Sequence, residues 1–307
     1  MLLIGIDEAG YGPLLGPLVV AGAAFRVGGA SSPAEAGARI AVALRAADLA
    51  VGDSKRIFGP AHDLSALERP VLAFAEAPAD LDELLRRVAI DRSIRGAAPW
   101  YAGRRPLPCV TTKDELAGAR TRLAAALADA SIEFVGSAAD VVPERRLNLL
   151  FHQGNKADAL FAVAAGVLDR LAGRREATEA LCVVFDRQGG RAYYGPKLQN
   201  RWSEGLVMPV AESPRVSTYR LRIGCGPAEV SFEVEADGRH PQVGLASMLA
   251  KYLREVFMSL FNEHFAAICP GVTPTAGYVE DGRRWLEQTR SLRDAAGVAD
   301  ADLVRVR

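Results

Sequence analysis

The chain opens on an apolar, β-rich run, Met1 to Ile6, that ends on two adjacent carboxylates, Asp7 and Glu8. That pattern predicts a buried strand. Gly10, Gly12, Pro13 and Gly16 then break the backbone, and a second apolar run, Leu18 to Phe25, predicts a strand antiparallel to the first. Gly28 to Pro33 reads as a loop, and Ala34 to Leu49 as an alanine-rich helix. Val51 to Pro60 is polar and turn-prone, with Asp53 and Ser54 able to cap a helix. Helical spacing recurs over Leu81 to Val88 and Leu116 to Ala128, and one long helix is expected over Leu147 to Leu171. Ser131 to Gly136 predicts a short strand. "LCVVFD", Leu181 to Asp186, is a continuous apolar run ending in a carboxylate, as a strand buried on both faces would be. Tyr219 to Gly224 and Glu229 to Glu235 alternate and are split by "CGPA", the pattern of a hairpin. Beyond Asp237, with Pro241 near its start, a helix places Leu245, Leu249, Tyr252, Leu253, Val256, Phe257, Leu260 and Phe261 on one face. The polar stretch after Leu292 reads as a poorly ordered tail. No internal repeat is visible.

Composition narrows this little. Half of the 307 residues are hydrophobic and 24% are charged, as in ordinary soluble globular proteins, and the length suits one large domain or two small ones. Lys plus Arg number 37, matching 37 Asp plus Glu, so any nucleic-acid contact must come from a local basic groove rather than bulk charge. One candidate is the segment holding Arg86, Arg87, Arg92, Arg95, Arg104 and Arg105 interleaved with Trp100 and Tyr101. It reads either as a backbone-tracking, base-stacking surface or as a solvated insertion. Cys109, Cys182, Cys225 and Cys269 are far apart, with no CxxC pair and no zinc-ligand spacing. A disulfide framework is not expected, and Cys182 reads as a small buried thiol. No secretory signal or membrane-spanning stretch is apparent, so a cytoplasmic protein without membrane contact is expected.

The acids carry the chemistry. Asp7 and Glu8 end one strand, Asp186 ends another, and Asp237 lies between a hairpin and a buried helix. Buried like charges are costly. Four hard oxygen donors meeting at one point would bind Mg²⁺ or Mn²⁺, whose charge offsets the repulsion. Two such ions, roughly 4 Å apart, are the usual apparatus of phosphodiester cleavage. The only histidines are His62, His152, His240 and His264, and no Ser-His-Asp or Cys-His arrangement competes. Taken singly, Asp186 or Asp237 reads as a cap or turn residue.

Five blocks then coincide in order with those of type 2 ribonucleases H (ribonuclease HII). "GIDEAGYGPLLGPLVVAGAAF" resembles the opening DEAG block of that family, and "DSKRI", Asp53 to Ile57, is similar to its DSKKL. "VVFD", Val183 to Asp186, resembles the strand carrying the third acid. "DGRHPQVGLASMLAKYLRE", Asp237 to Glu255, resembles the block in which an Asp precedes an Ala/Ser-rich helix, and "AGYVEDGRRWLEQ" the GYxT segment. The resemblance implies an RNase H-like α/β fold: a mixed β-sheet flanked by helices, with a C-terminal helical region. It implies a single catalytic domain over residues 1–292, with an insertion at about 60–130 and a tail at 293–307. It further implies hydrolysis of the RNA strand of RNA–DNA hybrids, or of a ribonucleotide embedded in DNA, leaving a 5′-phosphate. Asp7, Glu8, Asp186 and Asp237 would hold two Mg²⁺ or Mn²⁺ ions. Gly10, Tyr11 and Gly12 would form the loop whose backbone reads the 2′-hydroxyl. Ser54 and Lys55 would hold phosphates, Tyr278 would pack on a neighbouring sugar, and Ser247 and Lys251 would face the strand. A monomer is expected.

Tyr11 departs from the family, which places Arg or Lys between the two glycines, and His240 has no counterpart role beyond a local hydrogen bond. Two other readings remain at this stage. One is a nucleic-acid-binding relative with impaired turnover, which Tyr11 favours. The other is a sugar-kinase-like phosphotransferase, for which "DRQGGR", Asp186 to Arg191, is the only second glycine-rich loop.

Overall fold

The computed structural model describes residues 1–59 and 63–306. Pro60 and His62 lie outside them. Seven strands form one mixed sheet: β1 (Leu2–Ala9), β2 (Leu18–Val27), β3 (Ile132–Val142), β4 (Leu181–Asp186), β5 (Met208–Glu212), β6 (Val216–Ile223) and β7 (Gly226–Glu233), in the order β3-β2-β1-β4-β7-β6-β5. β1, β4 and β7 are parallel neighbours, and the remaining pairings are antiparallel. The helices are α1 (Pro33–Ala46), α2 (Ser54–Phe58), α3 (Leu64–Phe74), α4 (Leu81–Val88), α5 (Ile94–Ala97), α6 (Lys113–Asp129), α7 (Glu144–His152), α8 (Lys156–Ala172), α9 (Gly195–Arg201), α10 (Pro241–Ile268), α11 (Val279–Ala295) and α12 (Asp300–Leu303). The expected α/β architecture, a mixed sheet flanked by helices with a helical C-terminal region, is therefore present.

Strand alternation divides the core in two. Leu3 joins the cluster under α10, α1, α3 and α6, whereas Leu2, Ile4 and Ile6 join the one under α8. β1 is buried on both faces, which is why its sequence is an unbroken apolar run. β4 is not: Cys182 and Val184 are half-buried, because α10 crosses β1 and β2 and leaves that face of β4 partly open. All four cysteines are unpaired.

Local chemistry moved several boundaries. β3 runs to Val142, well past Gly136, since β2 pairs with it along its length through one irregularity at Ala24 and Phe25. The helix expected over Leu147 to Leu171 breaks at Gln153–Asn155, where the Asn155 side chain accepts the Asp158 amide and starts α8 afresh. The arginine- and aromatic-rich segment is not a base-stacking surface. Trp100 and Tyr101 are buried, with ring centroids 5.6 Å from Phe265 and 5.5 Å from Phe257 on α10. Arg95 donates to the backbone carbonyls of Tyr101, Ala102 and Gly103, and Arg105 pairs with Glu263, leaving Arg86, Arg92 and Arg104 in solvent. The buried Tyr101 hydroxyl donates to Glu144 at 2.7 Å. Nor is the C-terminal stretch loose. Leu303 is fully buried, and the Arg305 side chain lies inside the protein.

One contact seats α10. A Cβ on Gly5 would stand 2.3 Å from the Gln242 carbonyl carbon and the Val243 nitrogen, so the first turn of α10 rests directly on β1. Gly5→Ala forces the two apart. It should lower stability by about 2 kcal/mol or more, measured by urea unfolding.

Candidate active site

The parallel register of β1 and β4 ends with Ile6 beside Phe185. The next residues in that register are Asp7 and Asp186, on the sheet face that carries α10. Glu8, one residue on, points to the other face. β7 then leads into a short turn, Ala236–Gly238, that holds Asp237. The Ala236 amide donates to Asp186 Oδ1 at 2.8 Å, fixing that turn against the end of β4. Ser247, in the second turn of α10, puts its hydroxyl 3.4 Å from Asp237 Oδ2 and 2.9 Å from the Ser54 hydroxyl. It thus joins the α2 region to the acids.

These elements enclose a cleft of about 630 Å³ lined by Asp7, Glu8, Asp186 and Asp237, with Gly10, Tyr11, Gly12, Ser54, Lys55, Ser247, Lys251 and Tyr278. These are the acids and the substrate-contact residues that the family resemblance pointed to. Lys55 and Tyr278 are exposed there, whereas Lys251 is half-buried with its ammonium 2.7 Å from Glu255 and 4.5 Å above the Phe58 ring. Lys156 lies 4.5 Å over the Tyr11 ring. His240 makes the local hydrogen bond expected of it, to Glu233 at 3.0 Å.

Asp53, Arg187, Gly189, Glu235 and Arg254 also line the cleft and were not singled out for it. Asp53 does cap α2, accepting the Lys55 and Arg56 amides at 2.9 and 3.2 Å, and a cap reading concealed its second neighbour, Asp237. Arg254 had a visible signal. It follows Ser247 and Lys251 at helical spacing, on the same stripe.

The electrostatics is that of crowded anions. Burial pushes Asp7 well above the usual carboxylate range, and the charges of Glu8 and Asp186 push it further. Glu8 is raised to about 8, chiefly by burial and then by Asp186, although part of its side chain keeps an opening to solvent. Asp186 is raised to about 6 by burial, with the Ala236 amide holding it back. Asp237 is raised by burial and by Asp53. Lys55 is the cation that opposes the rise at Glu8, Asp186 and Asp237 alike. Among the described residues, no three acids or other ligating side chains form a ready-made metal cage. The carboxylates border the cleft without closing on one point.

No protein-family model matches the chain, and no curated protein matches its sequence. Solved structures similar to it are ribonucleases H. The ribonuclease HII of Archaeoglobus fulgidus, solved with PCNA, is 18% identical with a TM-score of 0.45, over 100% of this chain and 95% of that one. The ribonuclease H2 of Pyrococcus horikoshii OT3 is 15% identical with a TM-score of 0.45, over 99% and 92%. A Bst ribonuclease HIII in complex with Mn²⁺ is 16% identical with a TM-score of 0.47, over 99% of this chain and 66% of that one. No helix among the described residues is long and apolar enough to cross a membrane.

The raised acids make metal-free stability depend on pH. Glu8 has an ordinary value of 4.5 and a folded value of about 8, so the folded state binds the proton more tightly. Its ionisation therefore erodes stability as pH rises from 4.5 to 8, and the penalty is complete above that window. With chelator present, Glu8→Gln should be more stable than the native protein at pH 8, by roughly 4 kcal/mol in urea unfolding, and show no advantage at pH 4.5.

Proposed function

We propose that the protein is a divalent-metal-dependent nuclease of the ribonuclease H type. The observation that carries this reading is the meeting of Asp7, Glu8, Asp186 and Asp237, from three distant segments, in one cleft where burial raises each most and a neighbouring acid raises it further. Folding would not gather such charges without a counter-charge to receive. The donor set, all carboxylate oxygen and no thiolate, fits Mg²⁺ or Mn²⁺. Asp7, Glu8, Asp186 and Asp237 would hold two such ions, which when bound would polarise the attacking water and stabilise the leaving oxygen.

The chain's own groups would do the rest. Lys55, exposed at the rim, would take a phosphate and screen the acids until substrate enters. Tyr278 offers an exposed ring to a sugar or base, backed by the Arg254 guanidinium 5.5 Å from its centroid. The Gly10–Gly12 backbone would pass close to the scissile nucleotide, and a 2′-hydroxyl there would separate RNA from DNA. Ser54 and Ser247, hydrogen-bonded to each other, would steady the strand beside Asp237. Lys156 over Tyr11 supplies a cation near the position where the related family carries one. The substrate is proposed to be an RNA–DNA hybrid or a duplex with an embedded ribonucleotide, and the product a 5′-phosphate.

A second reading, a relative that binds nucleic acid without cutting it, is favoured by Tyr11 and by acids that border the cleft without forming a cage. Both readings meet the same assay. Labelled continuous hybrid and single-ribonucleotide duplex are incubated with Mg²⁺ or Mn²⁺, and the ends are analysed. Cleavage is expected, with Asp7→Asn and Asp186→Asn each losing at least about a hundredfold while retaining native circular dichroism. An Asp186→Asn protein that cuts as fast as the native one would refute the nuclease assignment. In the Asp186→Asn background, Lys55→Ala should weaken hybrid binding and reduce the slope of log affinity against log salt by about one.

A further inference from the structure

The Gly10–Gly16 loop forms one wall of the cleft, and the far end of the chain lies beneath it. Arg305 is 4% exposed. Its Nε donates to the Gly16 carbonyl at 2.7 Å, its Nη2 to the same oxygen, and its Nη1 to the carbonyls of Gly10 and Pro13. Its own amide donates to the Leu14 carbonyl at 3.0 Å. The Gly16 amide in turn donates to buried Glu144 at 2.9 Å, whose charge also acts on Arg305. Asn148 clamps the segment from outside, donating to the Val304 carbonyl at 2.9 Å and accepting the Val306 amide at 2.8 Å. Above the loop, Arg254 closes the other side. A Cβ on Gly10, whose φ is +87°, would stand 2.5 Å from Arg254 Nε.

A buried guanidinium must satisfy its donors or destabilise the fold. Here most of those donors go to backbone oxygens of one loop, and a planar fork bonded to three carbonyls fixes their relative directions. Little apolar surface accompanies it. Among the residues of α12 only Leu303 is buried, so the docking acts on the loop more than on the core.

We propose that Arg305 is a positioning residue. From the C-terminal segment, it sets the shape of the Gly10–Pro13 wall of the cleft and thereby the geometry presented to the scissile nucleotide. The catalytic half of this inference rests on the nuclease reading, and the loop half does not.

The test uses the full chain and four proteins: native, Arg305→Ala, Arg305→Lys and Asn148→Ala. Amide hydrogen exchange over residues 10–16 is read without substrate, and kcat and KM are read on hybrid with Mg²⁺. Arg305→Ala should speed loop exchange by about tenfold while β1 and β4 stay protected. It should lower kcat by about tenfold with KM within about threefold. Arg305→Lys should recover little, because an ammonium cannot span the carbonyls, whereas millimolar guanidinium should partly restore Arg305→Ala. Asn148→Ala, a half-buried change that leaves Arg305 in place, should move both readouts the same way to a smaller extent, and it carries the test if Arg305→Ala does not fold. Native loop protection in the variants overturns the proposal whether or not the chain cuts nucleic acid. So does a loosened loop with unchanged kcat on a hybrid that the native protein cleaves. Exchange rising equally in β1 and β4 overturns it as well, since Arg305 would then be a general fold staple. A native protein that cuts nothing sinks the nuclease reading alone, and loop exchange still decides the role of Arg305.

Discussion

Like charges held at the ends of two neighbouring parallel strands are the constraint around which this protein is organised. β1 and β4 deliver Asp7 and Asp186 to the same edge because their register requires it, and Glu8 follows because strands cannot skip a residue. Desolvation raises all of them; Glu8 and Asp186 then make ionisation of Asp7 harder, and Asp186 that of Glu8. The surrounding groups answer that strain. The Ala236 amide faces Asp186, and Lys55 opposes Glu8, Asp186 and Asp237 together. The repulsion they leave uncompensated is the feature on which the proposed cation dependence rests.

α10 is the main instrument of assembly. Seated on Gly5, it brings the Asp237 turn to the strand ends. Along one stripe it then presents Ser247, Lys251 and Arg254 to the cleft, while most of its remaining surface is buried against the sheet and the helices α1, α3 and α6. One helix therefore serves as core, as scaffold and as cleft wall, with helical spacing sorting the three roles.

The legible parts of the sequence were those with local periodicity or a repeated chemical type. Leu2 to Ile6, Leu181 to Phe185 and the apolar face from Leu245 to Phe261 showed themselves as strands and a helix, and the acids stood out at their edges. Trp100 and Tyr101 were misleading because their partners, Phe257 and Phe265, lie on α10, more than 150 residues away, and composition cannot say which way a ring faces. The break before α8 was written in Asn155 and Asp158, but the apolar spacing on either side masked it. The C-terminal docking had no pattern to find. It depends on Leu303, Asn148 and the single guanidinium of Arg305, contacts separated by as many as 295 positions.

The segment holding Trp100 and Tyr101 is also wired into the foundations of the cleft. Tyr101 gives its phenol proton to Glu144, the same anion that receives the Gly16 amide. Removing that segment would strip the buried Glu144 carboxylate of a donor, beneath the loop that walls the cleft. A trimmed version would therefore need a replacement hydroxyl, or a neutral side chain at position 144, to keep the cleft wall in place.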